Sequence, residues 1–388
     1  MDFFLLLNIM IPVMIIVSII ISIFTRKSKL TQSSIGNVVS SNSGKLTFIQ
    51  KIFLGKIIEE YSENDVIIDF NEIGPIWQPV TINTTQINKN LIKIGNIYET
   101  IKRKKEKINS INKIFISIII LGIILGIAII PFVSIQFGAV IVILSTFPYL
   151  STKGFLKSLS KDLIKVQITE ENNWLYDPYP DYDSWNNLKI KYHEIFKKGD
   201  EEQNIEDQIW GKVQKDSKDY YFYSGLFNYN TVHYDSKGRR NSSPHLEHFI
   251  GVRLNKKISS RFYLYPENVF SKIGNFFTNK EINTESIEFN KNFAFSYNGK
   301  KSEKGMDIIQ TLSPAVKQKL IKLKKENKTV RILFSEDSVF FIFIGAIMEN
   351  VKTNILKDES VNKEDKDLFQ NKLNTLIDIS SDISKYLD

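Results

Sequence analysis

The sequence contains no cysteine and only four histidines among its 388 residues. The absence of cysteine excludes disulfide bonds, thiolate metal ligands and cysteine nucleophiles. Motifs that cradle phosphates or present a nucleophilic serine are also missing. Gly299-Lys300-Lys301-Ser302 lacks the earlier glycine of a nucleotide-binding loop and is typical of a hairpin turn, and no G-x-S-x-G sequence occurs. These absences leave little support for the common enzyme classes.

Charge is missing from two long stretches, Phe3 to Phe24 with 22 residues and Ile114 to Thr152 with 39. A membrane-spanning helix needs about 20 apolar residues. The first stretch therefore predicts one transmembrane helix within residues 1–24. The second predicts a hairpin of two short transmembrane helices over about 114–150, with a turn near Pro131. The alternative is one long buried helix of a soluble protein. Transport by this chain alone is disfavoured, because neither stretch contains Asp, Glu, Lys, Arg or His.

Basic residues follow the first apolar stretch, which only Asp2 precedes in charge, and they border the second stretch on both sides; the whole chain carries a formal net charge of +8. By the positive-inside rule, basic flanks lie in the cytoplasm. We therefore expect a multi-pass protein of the cell membrane, with its amino terminus outside and most of the chain in the cytoplasm. The basic collar also predicts contact with anionic lipid headgroups. Binding to nucleic acid is disfavoured, because it would need basic side chains spread over a folded face. The collar consists of Arg26 and Lys27 after the first stretch, Lys102, Arg103, Lys104 and Lys105 before the hairpin, and Lys153 and Lys157 after it.

Helical periodicity on both sides of the hairpin predicts a helical stalk over residues 81–171. Apolar residues recur every three or four positions from Ile87 to Ile108 and from Leu156 to Val166, as in helices that pack side by side. We expect an antiparallel pair within one chain. A coiled coil between two copies, and hence a homo-oligomer, is the alternative.

Two shorter features complete the membrane-proximal part. Residues 25–80 combine a linker rich in serine and asparagine with a short amphipathic helix at 45–61. Gly122 and Gly126 form a small-xxx-small pair inside the hairpin. Such a pair indicates close helix packing, either within the hairpin or between subunits.

Short alternating stretches and turn residues indicate an α+β domain with a mostly antiparallel sheet over residues 172–388. Ser313 and Pro314 mark the start of its clearest helix, and residues 364–386 form the last one. Residues 184–198 are predicted to be helical with Ser184 as cap, and 174–182 to be a loop or an edge strand. The predicted strands are 205–213, 219–227, 248–255, 260–265, 292–297, 329–334 and 338–346, the last of them buried at the centre of the sheet.

Two polar sequences are the candidates for chemistry. His245 and His248 flank Glu247 in a predicted loop, and with His233 they could ligate a metal ion. The H-x-x-H spacing has little specificity, and a solvated polar loop is the interpretation we favour. Glu206 and Asp207 are adjacent on a predicted strand, where neighbours point to opposite faces. We therefore expect that they do not act as a carboxylate pair.

Four stretches, taken in their order, resemble a bacterial membrane-protein family catalogued as Domain of Unknown Function 3137. The resemblance covers about residues 85–350, and leaves out the first span, residues 30–80 and the insertion-like segment Asp235 to His245. It implies an integral membrane protein with a cytoplasmic α+β domain, and it implies no activity. The four stretches are the hairpin after a basic helix, the acidic pair of Glu206-Asp207-Gln208-Ile209-Trp210-Gly211, the strand pair from Phe249-Ile250-Gly251-Val252 to Arg261-Phe262-Tyr263-Leu264-Tyr265-Pro266, and the run from Phe289 through Phe293-Ala294-Phe295-Ser296 and Leu312-Ser313-Pro314 to the closing hairpin.

These features favour a membrane-anchored binding or scaffold protein with no catalytic activity and no cofactor. Another protein is the partner we expect for its cytoplasmic domain. One alternative is a membrane-tethered hydrolase that uses the sequence around His245, Glu247 and His248. A second alternative is an accessory subunit of a transport or secretion complex, packed through Gly122 and Gly126.

Overall fold

A computed structural model describes most of the chain from residue 105 onward. The described ranges are 105–129, 135–178, 183–258, 261–266, 284–297, 311–347 and 363–385, together with residues 77–80, single positions from 82 to 102, and positions 180 and 308. The predicted first span (1–24) and the predicted amphipathic helix (45–61) lie outside the described residues. So do Arg26, Lys27, Arg103 and Lys104 of the collar.

Two long helices occupy the region of the predicted hairpin, α1 (Lys105–Ile129) and α2 (Ile135–Glu171). By length and composition, their segments Ile108–Ile129 and Gly138–Glu171 are suited to cross a membrane. The two helices pack against each other. Phe115 is buried, but nine other large apolar side chains of α1 from Ile114 to Ile127 remain exposed, with values between 38% and 63%. An apolar surface of this kind is unfavourable in water and marks a contact with lipid or with another protein.

Eight strands of the described chain form one antiparallel sheet, in the order β1-β2-β3-β4-β8-β7-β5-β6. The prediction of an α+β fold with a mostly antiparallel sheet is confirmed. The strands are β1 (Leu175–Asp177), β2 (Glu201–Lys215), β3 (Lys218–Tyr234), β4 (Arg240–Arg253), β5 (Phe262–Pro266), β6 (Phe293–Tyr297), β7 (Arg331–Phe334) and β8 (Ser338–Ile344).

All seven predicted strands are present, and residues 174–182 contain the short edge strand β1, which pairs only with β2 within the described sheet. β8 lies in the interior of the sheet between β4 and β7, as its uninterrupted apolar sequence predicts. β2, β3 and β4 extend well beyond the predicted bounds. The added residues are mostly polar, so they lack the apolar alternation on which a strand prediction depends.

The shorter helices follow the predictions less closely. They are α3 (Asp183–Lys191), α4 (His193–Phe196), α5 (Ile287–Asn292), α6 (Pro314–Glu326) and α7 (Lys363–Lys385). Ser313 caps α6 as predicted, because its hydroxyl accepts a hydrogen bond from the Val316 backbone N–H. The prediction of one helix over 184–198 capped by Ser184 is wrong. Tyr192 separates α3 from α4 with φ −130° and ψ 54°, and its ring packs against Phe340 with centroids 4.4 Å apart.

The sheet is buried on both faces, so the domain has three layers. On one face, α2, α5, α6 and α7 cover a core that includes Ile164, Phe289, Leu320 and Leu373. On the other face, α3 and α4 pack with Trp77, Val80 and Ile87. The segment that the sequence assigned to the linker and the start of the stalk therefore contributes side chains to the core of the domain.

α2 belongs both to the apolar hairpin and to the α+β domain. Its first half exposes Ile135, Val140, Ile143 and Leu150. In its second half Leu156, Leu159 and Leu163 are buried, and Ile164 and Ile168 belong to the core on one face of the sheet. A single uninterrupted helix of 37 residues, about 55 Å long at the usual helical rise, thus joins the apolar hairpin to the sheet.

Candidate functional site

A polar cluster lies where the second half of α2 crosses the first strands of the sheet. Lys165 on α2 forms an ion pair with Asp207 on β2, and both side chains are largely buried. Tyr176 on β1 donates a hydrogen bond from its hydroxyl to Asp207 Oδ1 at 2.7 Å. The Lys165 ammonium also lies 5.8 Å from the centre of the Tyr176 ring. These contacts join α2 to the first two strands of the sheet.

A β-bulge in β2 places two carboxyl groups in this cluster. Asp207 has a φ of 56°, and the register of β2 against β3 shifts between Glu206 and Ile209. A bulge breaks the strict alternation of side chains between the two faces. The alternation on which the expectation for Glu206 and Asp207 rested therefore does not hold at this point, and the charge of Asp207 acts on the Glu206 carboxyl.

Glu206 has a strongly perturbed acidity. Burial, together with the neighbouring charge of Asp207, raises the pKa of the Glu206 carboxyl to about 7. Its Oε1 accepts a hydrogen bond from Asn204 Nδ2 at 3.1 Å. A carboxyl group that titrates near neutral pH is suited to exchange protons. In this position, the charge that changes would lie at the junction between α2 and the sheet.

The opposite face of the sheet contains a buried ionic cluster around Glu247. Arg331 on β7 approaches Glu247 Oε2 with Nη2 at 2.5 Å, and Lys198 Nζ lies 3.2 Å from the same oxygen. The Tyr229 hydroxyl donates to Oε1 at 2.7 Å. Burial disfavours the carboxylate, but the two cations outweigh burial and hold the pKa of Glu247 at about 2. Glu247 is therefore ionised at neutral pH and links β4 to β7 through Arg331.

His248 is paired with a serine, in an orientation that does not activate it. The Ile347 backbone N–H donates to His248 Nδ1 at 3.2 Å. Nε2 therefore carries the ring proton, which it donates to the hydroxyl of Ser224 at 2.8 Å. Burial and the charge of Lys165 lower the pKa of His248 to about 3. An imidazole with this tautomer cannot abstract the serine proton, so the pair does not form a nucleophile with its base.

The four residues considered as metal ligands, three of them in the predicted loop, do not form a common site. The loop prediction is wrong, because residues 240–253 form strand β4. Consecutive strand residues alternate between faces, so Glu247 and His248 project to opposite sides of the sheet. His245 is exposed and hydrogen-bonds Thr231 at 2.9 Å, and His233 is exposed on β3. Among the described residues, no group of three or more histidine, aspartate or glutamate side chains is arranged to bind a metal ion.

The glycine pair lies on the face of α1 that contacts α2. A Cβ added to Gly126 would lie 2.8 Å from the Gly138 carbonyl oxygen and 2.8 Å from Val142 Cγ2, and one added to Gly122 would collide with Ser145. The absence of side chains at both positions therefore allows the two helices to approach closely. Among the described collar residues, Lys102, Lys153 and Lys157 are exposed and Lys105 is half-buried.

An open groove of 610 Å³ runs between α6, α7 and the end of β2. Its lining carries both signs of charge. Lys215 and Lys319 form ion pairs with Asp378, and Lys319 also pairs with Asp382. Lys215 and Lys319 are therefore already paired with carboxylates.

Lys165 and Arg331 are the two cations that organise the buried clusters, and neither was predicted to do so from the sequence. Each gives a weak local signal. Lys165 interrupts the apolar series of α2 between Ile164 and Ile168, and Arg331 begins an otherwise apolar strand. A charge in such a position predicts a buried partner, because an unpaired one would be costly. The identity of that partner depends on the tertiary fold.

Comparisons of the chain with family models, curated proteins and solved structures give no match. The resemblance to Domain of Unknown Function 3137 therefore stays a prediction. Any function for this chain has to be argued from its own geometry.

Proposed function

We propose that this chain is an integral membrane protein that holds an α+β binding or scaffold domain at the cytoplasmic surface of the cell membrane. It would have three spans, one within residues 1–24 and two formed by the α1–α2 hairpin. The amino terminus would lie outside and the bulk of the chain inside. The domain would act through binding another protein and not through catalysis.

The observation that carries this proposal is the change of environment along α2. Exposed apolar side chains occupy its first half and the adjoining face of α1, whereas its second half is packed into a folded core. A buried helix of a soluble protein would not leave so much apolar surface uncovered. Lipid chains are the environment that favours the exposed apolar half of α2. Lys153 and Lys157 mark the point at which the charged part of α2 begins.

The binding role is favoured over the hydrolase alternative by the positions of the polar groups. The histidines proposed for the hydrolase lie on separate parts and faces of the β3–β4 pair. Glu247 is neutralised by Lys198 and Arg331, and His248 directs a proton toward Ser224. The hydrolase alternative therefore loses the residues on which it was based. The accessory-subunit alternative loses its proposed contact too, because α2 already covers Gly122 and Gly126.

Substitution of Ile124 separates the membrane hypothesis from the soluble one. Ile124 is 58% exposed on α1. In lipid, Ile124→Asp should disfavour insertion by about 3 kcal/mol, and the protein should be lost from the membrane fraction after alkaline extraction. Ile124→Leu is the matched control and should behave as the native chain. If the chain is soluble, Ile124→Asp should fold normally and improve solubility, and that result would contradict the proposal.

The side of the membrane is tested with single cysteines, since the native chain has none. In intact cells, a membrane-impermeant maleimide should not label Ser217→Cys in the domain, and it should do so after the cells are permeabilised. Labelling of Ser217→Cys in intact cells would place the domain outside and refute the topology.

The binding role needs a separate test, made on the full chain because residues before 172 belong to the core of the domain. Proteins crosslinked to the domain in cells should be purified and recombined with the full chain in nanodiscs. We expect at least one of them to re-form a complex of defined stoichiometry. If no captured protein binds again in isolation, the scaffold role is refuted, while membrane insertion is unaffected.

A further inference from the structure

β3 and β4 extend past the strands on either side of them. Pairing of β2 with β3 ends where Glu201 lies opposite Asn230. Pairing of β4 with β8 ends at His248, followed by one bridge between Glu247 and Gly345. Residues 231–245 therefore form a two-stranded ribbon, here called the β3–β4 arm. An isolated pair of strands is only marginally stable in water. Contact with another surface would therefore stabilise the arm.

The base of the arm is held by His245. Its ring stacks on Tyr229 with centroids 4.9 Å apart, and its Nε2 is hydrogen-bonded to Thr231 Oγ1 at 2.9 Å. These two contacts connect β3 to β4 at the point where the neighbouring strands end. They favour a defined direction for the arm as it leaves the sheet.

The direction of the arm follows from the contacts of α2 with β1. Just before β1, the Trp174 backbone N–H donates to the Thr169 carbonyl, and two residues further along the chain the ring of Tyr176 lies beside Lys165. β1 therefore runs back along α2 toward its apolar half. β2 is antiparallel to β1, and β3 is antiparallel to β2, so β3 runs the same way as β1. The tip of the arm consequently points toward the hairpin end of the molecule.

The length of the arm suits the distance to the collar. Lys165 forms an ion pair with Asp207, and the preceding residue of β2, Glu206, lies opposite Leu226. Lys165 and Leu226 are therefore at about the same level of the molecule. From Leu226 to Tyr234 the strand rises about 27 Å. From Lys165 back to Lys153, α2 rises about 18 Å. The tip therefore reaches the level of Lys153 even when β3 is inclined to α2 by about 45°.

The tip presents a tyrosine and cations. Tyr234 is 70% exposed, and Lys237 and Arg239 are exposed beside it. The Asp235 carboxylate is directed back into the turn, where its Oδ1 accepts the backbone N–H groups of Lys237 and Arg239 at 2.8 Å and its Oδ2 forms an ion pair with the Arg239 guanidinium at 3.0 Å. Arg240 at the end of the arm is ion-paired with Glu201. Tyr234 and Lys237 are thus the aromatic ring and the cation that the tip presents, a combination suited to the headgroup region of a membrane.

We infer that the tip of the β3–β4 arm, residues 234–240, contacts anionic lipid headgroups and forms a second attachment of the domain to the membrane surface. This inference rests on the proposed membrane insertion of α1 and α2. The occupant is a lipid surface, since the tip approaches the level at which α2 leaves its apolar half. The contact would fix the sheet at two points, the second half of α2 and the arm.

The test uses the full chain in nanodiscs, with one fluorophore at a time on a single introduced cysteine. The sites are Ser236→Cys at the tip, Lys153→Cys on α2, and Lys218→Cys at the opposite end of β3. Lipids that carry a nitroxide on the headgroup act as quenchers. In phosphatidylcholine mixed with phosphatidylglycerol we expect quenching at positions 153 and 236 and little at 218. In phosphatidylcholine alone, quenching at 236 should fall.

Charge reversal supplies the second measurement. In the Ser236→Cys background, Lys237→Glu should lower occupancy of the lipid-bound state about five-fold or more, the value for loss of one basic side chain near an anionic surface. Lys257→Glu, an exposed lysine after β4, is the matched control and should have no effect. Circular dichroism checks that both variants are folded.

The outcomes separate this inference from the proposed function. Quenching at 153 without quenching at 236 would overturn the inference and leave the membrane hairpin intact. No quenching at 153 would refute the proposed insertion and the inference together. Quenching at 236 that is insensitive to lipid charge and to Lys237→Glu would also overturn it. Maleimide labelling of Ser236→Cys gives a further outcome. If position 236 is protected from the maleimide in permeabilised cells but not in nanodiscs, a protein partner covers the tip, and the inference is overturned.

Discussion

Substitution of Glu206 by glutamine tests whether a buried carboxyl group controls the docking of α2 onto the sheet. In the folded domain, burial and Asp207 raise the pKa of Glu206 from 4.5 to about 7. Below pH 4.5 the carboxyl group is protonated in both the folded and the unfolded chain, and its contribution to the free energy of unfolding is fully present. As the pH rises through 7 the folded domain has to hold a buried carboxylate, so this contribution to the free energy of unfolding is lost.

The size of the effect follows from the shift in pKa. A shift of this size corresponds to a free energy of about 3 kcal/mol between the two ends of the titration. Glutamine has nearly the same shape and no charge. Glu206→Gln should therefore raise the free energy of unfolding by about 3 kcal/mol at pH 8 and leave it nearly unchanged at pH 4.5.

The measurement is urea unfolding of the full chain in detergent micelles, followed by tryptophan fluorescence at several pH values. Comparison of the variant with the native chain cancels the titration of all other groups. Glu285→Gln, at an exposed position, is the matched control and should show no pH-dependent difference. An equal gain at both pH values would refute the buried-charge explanation. A loss of stability at pH 8 would show that the carboxylate is needed for the interaction with Lys165.

Two further substitutions test the packing and the ion pairs. Gly126→Leu should separate α1 from α2 and lower the melting temperature in detergent, because its Cβ would lie 2.8 Å from the Gly138 oxygen; Gly154→Leu, at a position with open space, should have no such effect. Glu247→Gln should lower the free energy of unfolding by about 3–5 kcal/mol, since Arg331 would keep a buried charge without its carboxylate. Arg331→Met added to Glu247→Gln should recover part of that loss in urea unfolding, and a further loss would contradict the role of the pair.

Patterns confined to one segment predicted much of the fold. Alternation and apolar composition identified the central parts of β2 to β8, because a residue in a strand is buried or exposed according to which face it lies on. Ser313 and Pro314 identified the start of α6, because a serine cap and a proline in the first turn act within one turn of helix. These signals do not depend on distant parts of the chain.

The polar clusters were less predictable. The bulge at Asp207 places a residue other than glycine at positive φ, which no local pattern in β2 indicates. The ion pair of Glu247 with Arg331 joins β4 to β7, strands that are not adjacent in the sheet. The polar ends of β3 and β4 lack apolar alternation, so the arm was interpreted as a loop. In each case the decisive partner is supplied by the tertiary fold.

The continuity of α2 determines how the domain is oriented. Because one rigid rod runs from the hairpin into the sheet, the domain cannot swivel independently about a linker at that point. Each residue of an α-helix turns the chain by about 100° and advances it by about 1.5 Å. Insertion of a single alanine between Leu150 and Leu156 would turn the sheet through that angle about the rod. In the membrane-inserted protein that we propose, a different side of the domain would then face the lipid. The number of residues between hairpin and sheet therefore sets the direction in which each surface of the domain faces.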